Sequence, residues 1–282
     1  MPQNKDNKPV AVVIGATSKW QSDGRNTKLI HGKTLNDDDV PVSARWGIGG
    51  AVAQKFAAEG RFVVLTSRTE ANATPLAKAI VEEGGQCMIV ELDLTSRQSI
   101  ASAFAAIGAD AGEPEIVVYN AGYIEGRDLP ASMELLEHIP DEIFETAIAI
   151  ACRGPFLVAK EVLPKMRKRG SGSLFFSNNS SSLRGKKRMT GSSLYYPRVL
   201  MRTLAQVLTE EYSEHGVHIA NVIIDGTIDS PGTRAMKSAQ ANPDRLIDPA
   251  RIADAFYYLH TQHPSCWTHE IQVTPFVSKP SY

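Results

Sequence analysis

The chain has 282 residues, with 30 lysines and arginines against 31 aspartates and glutamates, which leaves a net charge of −1. This balance gives no electrostatic reason to expect binding to nucleic acid or to an anionic membrane surface. Hydrophobic residues make up 43% of the chain, which is typical of a soluble globular protein, and no apolar run approaches the ~18 residues that a membrane helix requires. The polar start and three widely spaced cysteines predict a cytoplasmic protein without a disulfide framework or a cysteine metal site.

Short β-branched segments alternate with amphipathic helical segments along the whole sequence. Most of the β-branched segments are continuously apolar, as expected for parallel strands that are buried on both faces. This alternation predicts an α/β fold, a doubly wound parallel sheet of about seven strands in a single domain spanning residues 1–282. The predicted strands are 9–15, 61–67, 87–92, 115–120, 172–178, 217–224 and 269–274, and the predicted helices are 47–59, 72–84, 96–108, 140–168, 194–214 and 248–261.

Glycines follow the first predicted strand in two groups, Gly15-Ala16-Thr17-Ser18 and Gly47-Ile48-Gly49-Gly50. Without residues 20–46 the chain reads Gly-Ala-Thr-Ser-Lys-Gly-Ile-Gly-Gly, which resembles the glycine-rich turn of the short-chain dehydrogenase/reductase superfamily. In that turn the glycines let the backbone approach a pyrophosphate, which lies at the positive end of the following helix. The resemblance implies a Rossmann-type fold and a cofactor-binding role for Gly15, Thr17, Ser18, Gly47, Ile48 and Gly49.

Residues 20–46 interrupt this turn as a polar insertion that is rich in turn-forming residues. We expect the insertion to form a lid over the cofactor phosphates or a contact between subunits, the alternative being a passive surface loop. A phosphate-binding P-loop is rejected because Thr27 stands where that motif needs glycine. Three consecutive aspartates at 37–39 point in different directions, so no metal site is expected.

The loops after the next three strands carry further residues that match the superfamily. The second strand ends with Ser67 and Arg68 and has no acidic residue to bind a ribose 2′-hydroxyl, so NADP is favoured over NAD. Asp93 and Leu94 match the positions that face the adenine, with Asp93 as an acceptor for its amino group. The remaining match is Asn120-Ala121-Gly122, which lines the adenosine ribose in the superfamily.

The catalytic positions depart from the superfamily, whose members normally use Asn, Ser, Tyr and Lys. The asparagine position falls on Ala151, and the serine position falls on Asn179, directly before Ser180. Arg198 takes the place of the lysine, where it can hold the nicotinamide ribose but cannot relay a proton. Leu194 takes the place of the tyrosine and can do no proton chemistry.

Two tyrosines directly follow that position and leave two interpretations open. A one-residue shift could present Tyr195 or Tyr196 as the general acid, because Pro197 alters the opening turn of the helix. Alternatively, both tyrosines are buried or interface aromatics, and no proton donor remains. The candidate catalytic residues are Ser180, Tyr195 and Arg198.

The loop after the sixth strand reads Asp225-Gly226-Thr227-Ile228-Asp229-Ser230, in place of the superfamily's Pro-Gly loop. The resemblance places Gly226 and Ile228 near the nicotinamide carboxamide. This loop and the ending Cys266-Trp267-Thr268-His269-Glu270 resemble a divergent subgroup that also lacks the usual tyrosine. A basic run at 184–188 either attracts an anionic substrate or is a solvated loop.

Two classes of function fit these observations. The first is an NADPH-dependent reductase of a carbonyl, an imine or an activated C=C bond in a small organic substrate. An iminium ion needs no proton donor, whereas a ketone would need Ser180 or Tyr195 to stabilise its oxyanion. The second is a non-redox protein on the same fold, either a lyase or cyclase or an NADP-binding sensor. The resemblance also implies a homodimer or homotetramer that pairs the helices at 140–168 and 194–214.

Overall fold

A computed structural model of the protein describes residues 3–17, 40–123, 135–184, 196–234 and 237–281, without the side chains of residues 42, 43, 196, 237 and 238. Within these ranges, seven parallel strands form one sheet and two short strands form a separate pair. The strands are β1 (Val10–Ile14), β2 (Phe62–Ser67), β3 (Gln86–Glu91), β4 (Ile116–Tyr119), β5 (Gly172–Asn179), β6 (Val217–Ile224), β7 (Thr227–Ile228), β8 (Leu246–Ile247) and β9 (Glu270–Val273).

The large sheet has the order β3-β2-β1-β4-β5-β6-β9, so the first strand lies near its centre. Strand β1 pairs with β2 on one side and with β4 on the other, and the direction of winding reverses at this point. In open α/β sheets, ligands bind at such a reversal, outside the carboxyl ends of the strands. The fold therefore brings the loops after β1, β2 and β4 to one edge of the sheet, where a ligand would bind.

Helices cover both faces of the sheet. Residues Val10, Val12 and Ile14 of β1 face one side, where α4, α6 and α7 pack, while Ala11 and Val13 face α2, α3 and α10. Burial on both faces is the physical reason for the continuously apolar strands. The helices are α1 (Val42–Arg45), α2 (Gly47–Ala58), α3 (Glu70–Glu82), α4 (Arg97–Asp110), α5 (Asp141–Ile148), α6 (Gly154–Arg169), α7 (Tyr196–Tyr212), α8 (Pro231–Arg234), α9 (Lys237–Ala241) and α10 (Pro249–Thr261).

The predicted Rossmann-type sheet is confirmed, with strand and helix boundaries that differ from the prediction by one or two residues. The predicted helix at 140–168 is continuous but contains a five-residue π-helical turn, Ala149–Arg153, between α5 and α6. The short elements α1, α8, α9, β7 and β8 were not predicted, because two to five residues are too few to show a periodicity. Over the ranges given above, no helix combines the length and the apolar composition needed to cross a bilayer.

Candidate functional site

The glycine turn after β1 lies in direct contact with the loop after β4. Gly15 has a φ of +78°, which favours glycine, and a Cβ at this position would lie 2.7 Å from Cα of Ala121. The side chain of Asn120 donates a hydrogen bond from Nδ2 to the carbonyl oxygen of Gly15 at 3.0 Å. Gly49 lies against both, since a Cβ there would come within 2.8 Å of Asn120 Nδ2. These three segments pack closely against one another at the switch point of the sheet.

Helix α2 begins beside these packed segments, at Gly47, whose φ is +65°. Its first turn contains no acidic residue, and no side chain of the described residues caps it. The N–H groups of the first helical turn have no acceptor within the helix and carry the positive end of the helix dipole. An uncapped helix start beside a glycine turn fits the pyrophosphate of a dinucleotide.

The loops after β2 and β3 bring a cation and an anion together. Ser67 is buried at the end of β2, and Arg68 is exposed directly after it. Asp93 accepts hydrogen bonds from the backbone and hydroxyl of Thr95, at 2.9 and 2.7 Å. These bonds lower the pKa of Asp93, and the nearby charge of Arg68 contributes to the shift. Leu94 is 8% exposed and packs in the core below.

Arg198 lies in the first turn of α7 and is 8% exposed. Its Nη1 donates to the carbonyl oxygen of Ser177 at 2.9 Å, and its own carbonyl accepts from Nδ2 of Asn178 at 3.1 Å. The other guanidinium nitrogen, Nη2, lies so close to Gly122 that a Cβ there would collide with it. The remaining nitrogen, Nε, is buried and has no hydrogen-bond partner in the described part of the chain. Arg198 therefore lies between the carboxyl ends of β4 and β5.

Beneath Arg198 lies Tyr119, the last residue of β4, which is fully buried. Its hydroxyl donates to the carbonyl of Ile150 in the π-helical turn. Burial lowers the pKa of Arg198, while the neighbouring Tyr119 acts in the opposite direction; burial raises the pKa of the Tyr119 phenol. An arginine remains protonated at any working pH, so neither group exchanges a proton near neutrality.

A second buried polar group, the carboxylate of Asp225, lies at the carboxyl edge of the sheet on the side of β6. Asp225, at the end of β6, accepts hydrogen bonds from Gln272 Nε2 at 2.8 Å and from the backbone and hydroxyl of Ser281 at 2.5 and 3.0 Å. The hydroxyl of Ser180, which opens the turn after β5, also lies close enough to this carboxylate to favour its charged form. Burial would raise the pKa of Asp225, but these hydrogen bonds together bring it below its ordinary value. Ser180 thus faces a carboxylate.

The residues of the predicted loop after β6 lie beside this carboxylate. Gly226 is exposed, and a Cβ there would lie 2.8 Å from Cδ1 of Ile247, because the pair β7–β8 folds back on the loop. Ile228 is partly buried in that pair. Both positions lie at the predicted edge of the sheet.

Several predicted site residues lie outside the described ranges. These are Ser18 and Tyr195. Most of the insertion at 20–46 also lies outside these ranges, including the three aspartates at 37–39, for which no metal site is expected. The structure gives no account of the side chain of Tyr196. The roles predicted for these residues stay predictions.

The structure brings most of the other predicted residues together at the carboxyl edge, and it adds two that the sequence reasoning missed. Tyr119 and Asn178 both contact the group around Arg198, yet neither was singled out. A signal was present for Asn178, because an asparagine within an apolar strand is buried and needs hydrogen-bond partners. Tyr119 offered no such signal, since tyrosine is common in strands.

A doubly wound parallel sheet with a glycine turn at its switch point defines a class of dinucleotide-binding proteins. Residues 42–273 match the family model described as enoyl-(acyl carrier protein) reductase. The chain belongs to this family within the short-chain dehydrogenase/reductase superfamily, and it is an oxidoreductase.

Its relatives extend over most of the chain. It is 30% identical over 202 residues to an uncharacterised oxidoreductase of Bacillus subtilis, covering 71% of this chain and 70% of the relative. It is 26% identical over 237 residues to an uncharacterised oxidoreductase of Staphylococcus aureus, covering 84% of this chain and 96% of the relative. A crystal structure of a metagenomic short-chain oxidoreductase in complex with NADP superposes with a TM-score of 0.70 and 23% identity, over 95% of this chain and 98% of the other. At that identity the likeness shows the fold.

Proposed function

We propose that this oxidoreductase uses NADPH to reduce a carbonyl, an imine or an activated C=C bond in a small organic substrate. The observation that carries the proposal is the arrangement of groups at one edge of the sheet. The glycine turn and the uncapped start of α2 fit a pyrophosphate, and Arg198 with its unpaired Nε lies further along the same edge. The NADP bound to the metagenomic relative supports the same reading.

Arg68 is the basis for proposing the phosphorylated cofactor. Nucleotide-binding sheets that prefer NAD usually hold the ribose 2′-hydroxyl with an acid at the end of the second strand. Here that end is Ser67, buried, followed by the exposed guanidinium of Arg68. An arginine forms charge-assisted, bidentate hydrogen bonds to a phosphate, which an unphosphorylated ribose cannot offer.

Calorimetric titration of NADPH and NADH into the wild type and Arg68→Ala tests this preference. We expect the wild type to bind NADPH more tightly, and the substitution to cost about 1.5–3 kcal/mol of binding free energy for NADPH alone, because charge-assisted bonds are lost. Arg167→Ala is the matched control, since Arg167 is exposed in the last turn of α6 at the opposite edge of the sheet. Equal affinities of the wild type for the two cofactors would contradict the proposal.

When bound, NADPH supplies a hydride, and the protein contributes binding, orientation and electrostatics. We propose that Arg198 holds the nicotinamide ribose with its permanent positive charge. The hydroxyl of Ser180 lies near the carboxylate of Asp225 and helps to lower its pKa. Because Arg198 cannot relay a proton, an acceptor that needs no proton donor, such as a protonated imine, fits this group of residues best.

A substrate panel tests the reaction itself. The loss of NADPH absorbance would be followed with matched cyclic ketones, imines and conjugated alkenes. Turnover of any of the three classes supports the proposed reduction, and faster turnover of the imine supports an acceptor that needs no proton donor. NADPH binding without turnover of any class would contradict it.

A further inference from the structure

Two asparagines in the middle of the sheet connect Arg198 to the outer strand. Asn178 on β5 is 2% exposed and Asn221 on β6 is 1% exposed. Nδ2 of Asn178 donates to the backbone carbonyl of Arg198 at 3.1 Å and to Oδ1 of Asn221 at 3.2 Å. The side-chain oxygen of Asn178 accepts from the backbone N–H of Asn179 at 3.0 Å. The first amide is thus bonded through both its nitrogen and its oxygen.

The connection continues from Asn221 to the edge of the sheet and returns to α7. Nδ2 of Asn221 donates to Oε2 of Glu270 on β9 at 2.9 Å. Glu270 in turn accepts two hydrogen bonds from Arg202, from Nε and Nη2, both at 2.7 Å. Arg202 lies one helical turn after Arg198 in α7. The polar groups therefore form a closed ring that begins and ends on the same helix.

Burying these polar groups within the sheet costs free energy unless each of them is hydrogen-bonded. A buried amide loses its hydration, and only good hydrogen bonds offset this loss. A polar network whose members are all bonded holds its elements in one arrangement. Here the elements are β5, β6, β9 and the first two turns of α7, and the outcome is a fixed position for the backbone of Arg198. Its guanidinium is fixed separately, by the carbonyl of Ser177.

We propose that Asn178, Asn221, Glu270 and Arg202 are positioning residues for Arg198. They hold the start of α7 so that the guanidinium stays where the nicotinamide ribose binds. This inference rests on the proposed function, in which Arg198 grips that ribose. The pair Arg202–Glu270 is the part of the ring closest to solvent, with about a third of each side chain exposed.

The test compares two ligands that share one end. NADPH reaches both ends of the cleft, whereas adenosine 2′,5′-bisphosphate carries the phosphorylated adenine end and no nicotinamide ribose. We expect Glu270→Gln to raise the Kd for NADPH on the order of tenfold, because a small displacement of a binding group has a large effect. The Kd for adenosine 2′,5′-bisphosphate should stay unchanged. Glu113→Gln is the matched control, since Glu113 pairs with Lys165 at 2.9 Å, away from α7.

A double-mutant cycle shows whether the ring acts through Arg198. In an Arg198→Ala background, Glu270→Gln should have little further effect on NADPH binding, since the group that it positions is gone. Thermal unfolding of each variant checks the fold, and Arg202→Gln breaks the same pair from the helix side if Glu270→Gln does not fold.

An equal loss of affinity for both ligands, an unchanged NADPH affinity, or effects that add up in the double variant would overturn the positioning role. If the wild type binds no NADPH, the proposed function fails, and this inference fails with it. If the wild type binds NADPH and the cycle is additive, the inference alone fails.

Discussion

The sequence predicts that Arg198 takes the position of the superfamily's lysine, and the two side chains differ in what they can do there. A lysine can shift its pKa and take part in proton transfer, while an arginine keeps its charge and offers several fixed donors. The structure adds that this arginine is 8% exposed and partnered on Ser177. In the proposed role its contribution is therefore charge and geometry, and any proton comes from another group.

From this we predict that catalysis depends on Arg198 more than on either neighbouring tyrosine hydroxyl. Arg198→Ala should impair NADPH binding and rate, whereas Tyr195→Phe and Tyr196→Phe should each stay within roughly tenfold of the wild-type rate, because an activated acceptor needs no proton donor. Rates should be measured at saturating NADPH, so that weaker binding is not mistaken for lost chemistry. A rate loss on the order of 100-fold for Tyr195→Phe, with unchanged cofactor affinity, would restore a tyrosine mechanism shifted by one residue.

The protonation state of His260, at the amino edge of the sheet, is also set by its neighbours. Arg61 donates to its Nε2 at 3.1 Å, so the ring carries its proton on Nδ1 and donates this to the hydroxyl of Ser173 at 3.0 Å. Burial, together with the charge of Arg61 and the neighbouring His218, lowers the pKa of His260 to about 4. The folded protein keeps this ring neutral at a pH where an unfolded chain is protonated.

The pH dependence of stability follows from that shift. The unfolded chain binds the proton first, so the contribution of His260 is complete above about pH 6.5 and is lost as the pH falls toward 4. As the pH falls through this range, His260 should lower the free energy of unfolding of the wild type by up to about 3 kcal/mol. The variant His260→Gln should lack this part of the decrease. Urea unfolding between pH 4.5 and 7 measures it, with the exposed His263→Gln as control. Parallel pH profiles for wild type and His260→Gln would refute this.

At the scale of elements, the π-helical turn between α5 and α6 depends on a residue from the sheet. A π-turn breaks the regular pattern of helical hydrogen bonds and commonly lies at a functional site. The hydroxyl of Tyr119 donates to the carbonyl of Ile150 in this turn, and it lies over Gly154, where no larger residue would fit. Ala151, which the sequence analysis places at the superfamily's asparagine position, lies in the same turn.

We therefore expect Tyr119→Phe to destabilise the protein by about 1–3 kcal/mol, because the carbonyl of Ile150 is left unpaired. The measurement is the urea midpoint at constant slope, which reports a change in stability alone. Tyr258→Phe serves as the control, since Tyr258 is 60% exposed. If Tyr119→Phe and Tyr258→Phe unfold at the same midpoint as the wild type, the hydroxyl does not support the turn.

At the scale of the whole molecule, large apolar side chains are exposed on the helices of one face. Phe144 and Phe156 on α5 and α6 are 45% and 49% exposed, and Leu200 and Val207 on α7 are 45% and 46% exposed. Exposed apolar groups on neighbouring helices are typical of an interface with another protein chain.

We predict that these helices pair two copies of the chain, giving a homodimer or homotetramer. Light scattering should give at least twice the chain mass of 30.7 kDa at micromolar concentration. Phe156→Glu or Leu200→Glu should shift the mass toward the monomer, because a two-fold interface would bury the charge twice. Val81→Glu, on α3 and 58% exposed, should leave it unchanged. A monomeric wild type over the whole range would contradict the prediction.

The features of the fold that depend on local sequence patterns could be predicted from the sequence. Apolar runs mark the strands, and the glycines Gly15 and Gly47 mark the turn after β1. These patterns between neighbouring residues predicted the sheet and the position of its loops. The ring of Asn178, Asn221 and Glu270 could not be predicted in the same way. It exists because β5, β6 and β9 lie side by side, and that order is a property of the folded sheet. The π-turn likewise depends on a tyrosine 31 positions away.

The double attachment of Arg198 has a thermodynamic consequence. Consecutive residues of β5 hold its two ends, Ser177 the guanidinium and Asn178 the backbone carbonyl. A free arginine side chain carries about 2 kcal/mol of rotamer entropy, which a flexible binding residue loses when its ligand arrives. In this protein that disorder is already gone in the folded chain. This entropy is lost when the chain folds, so it would not oppose the binding of the nicotinamide ribose that we propose for Arg198.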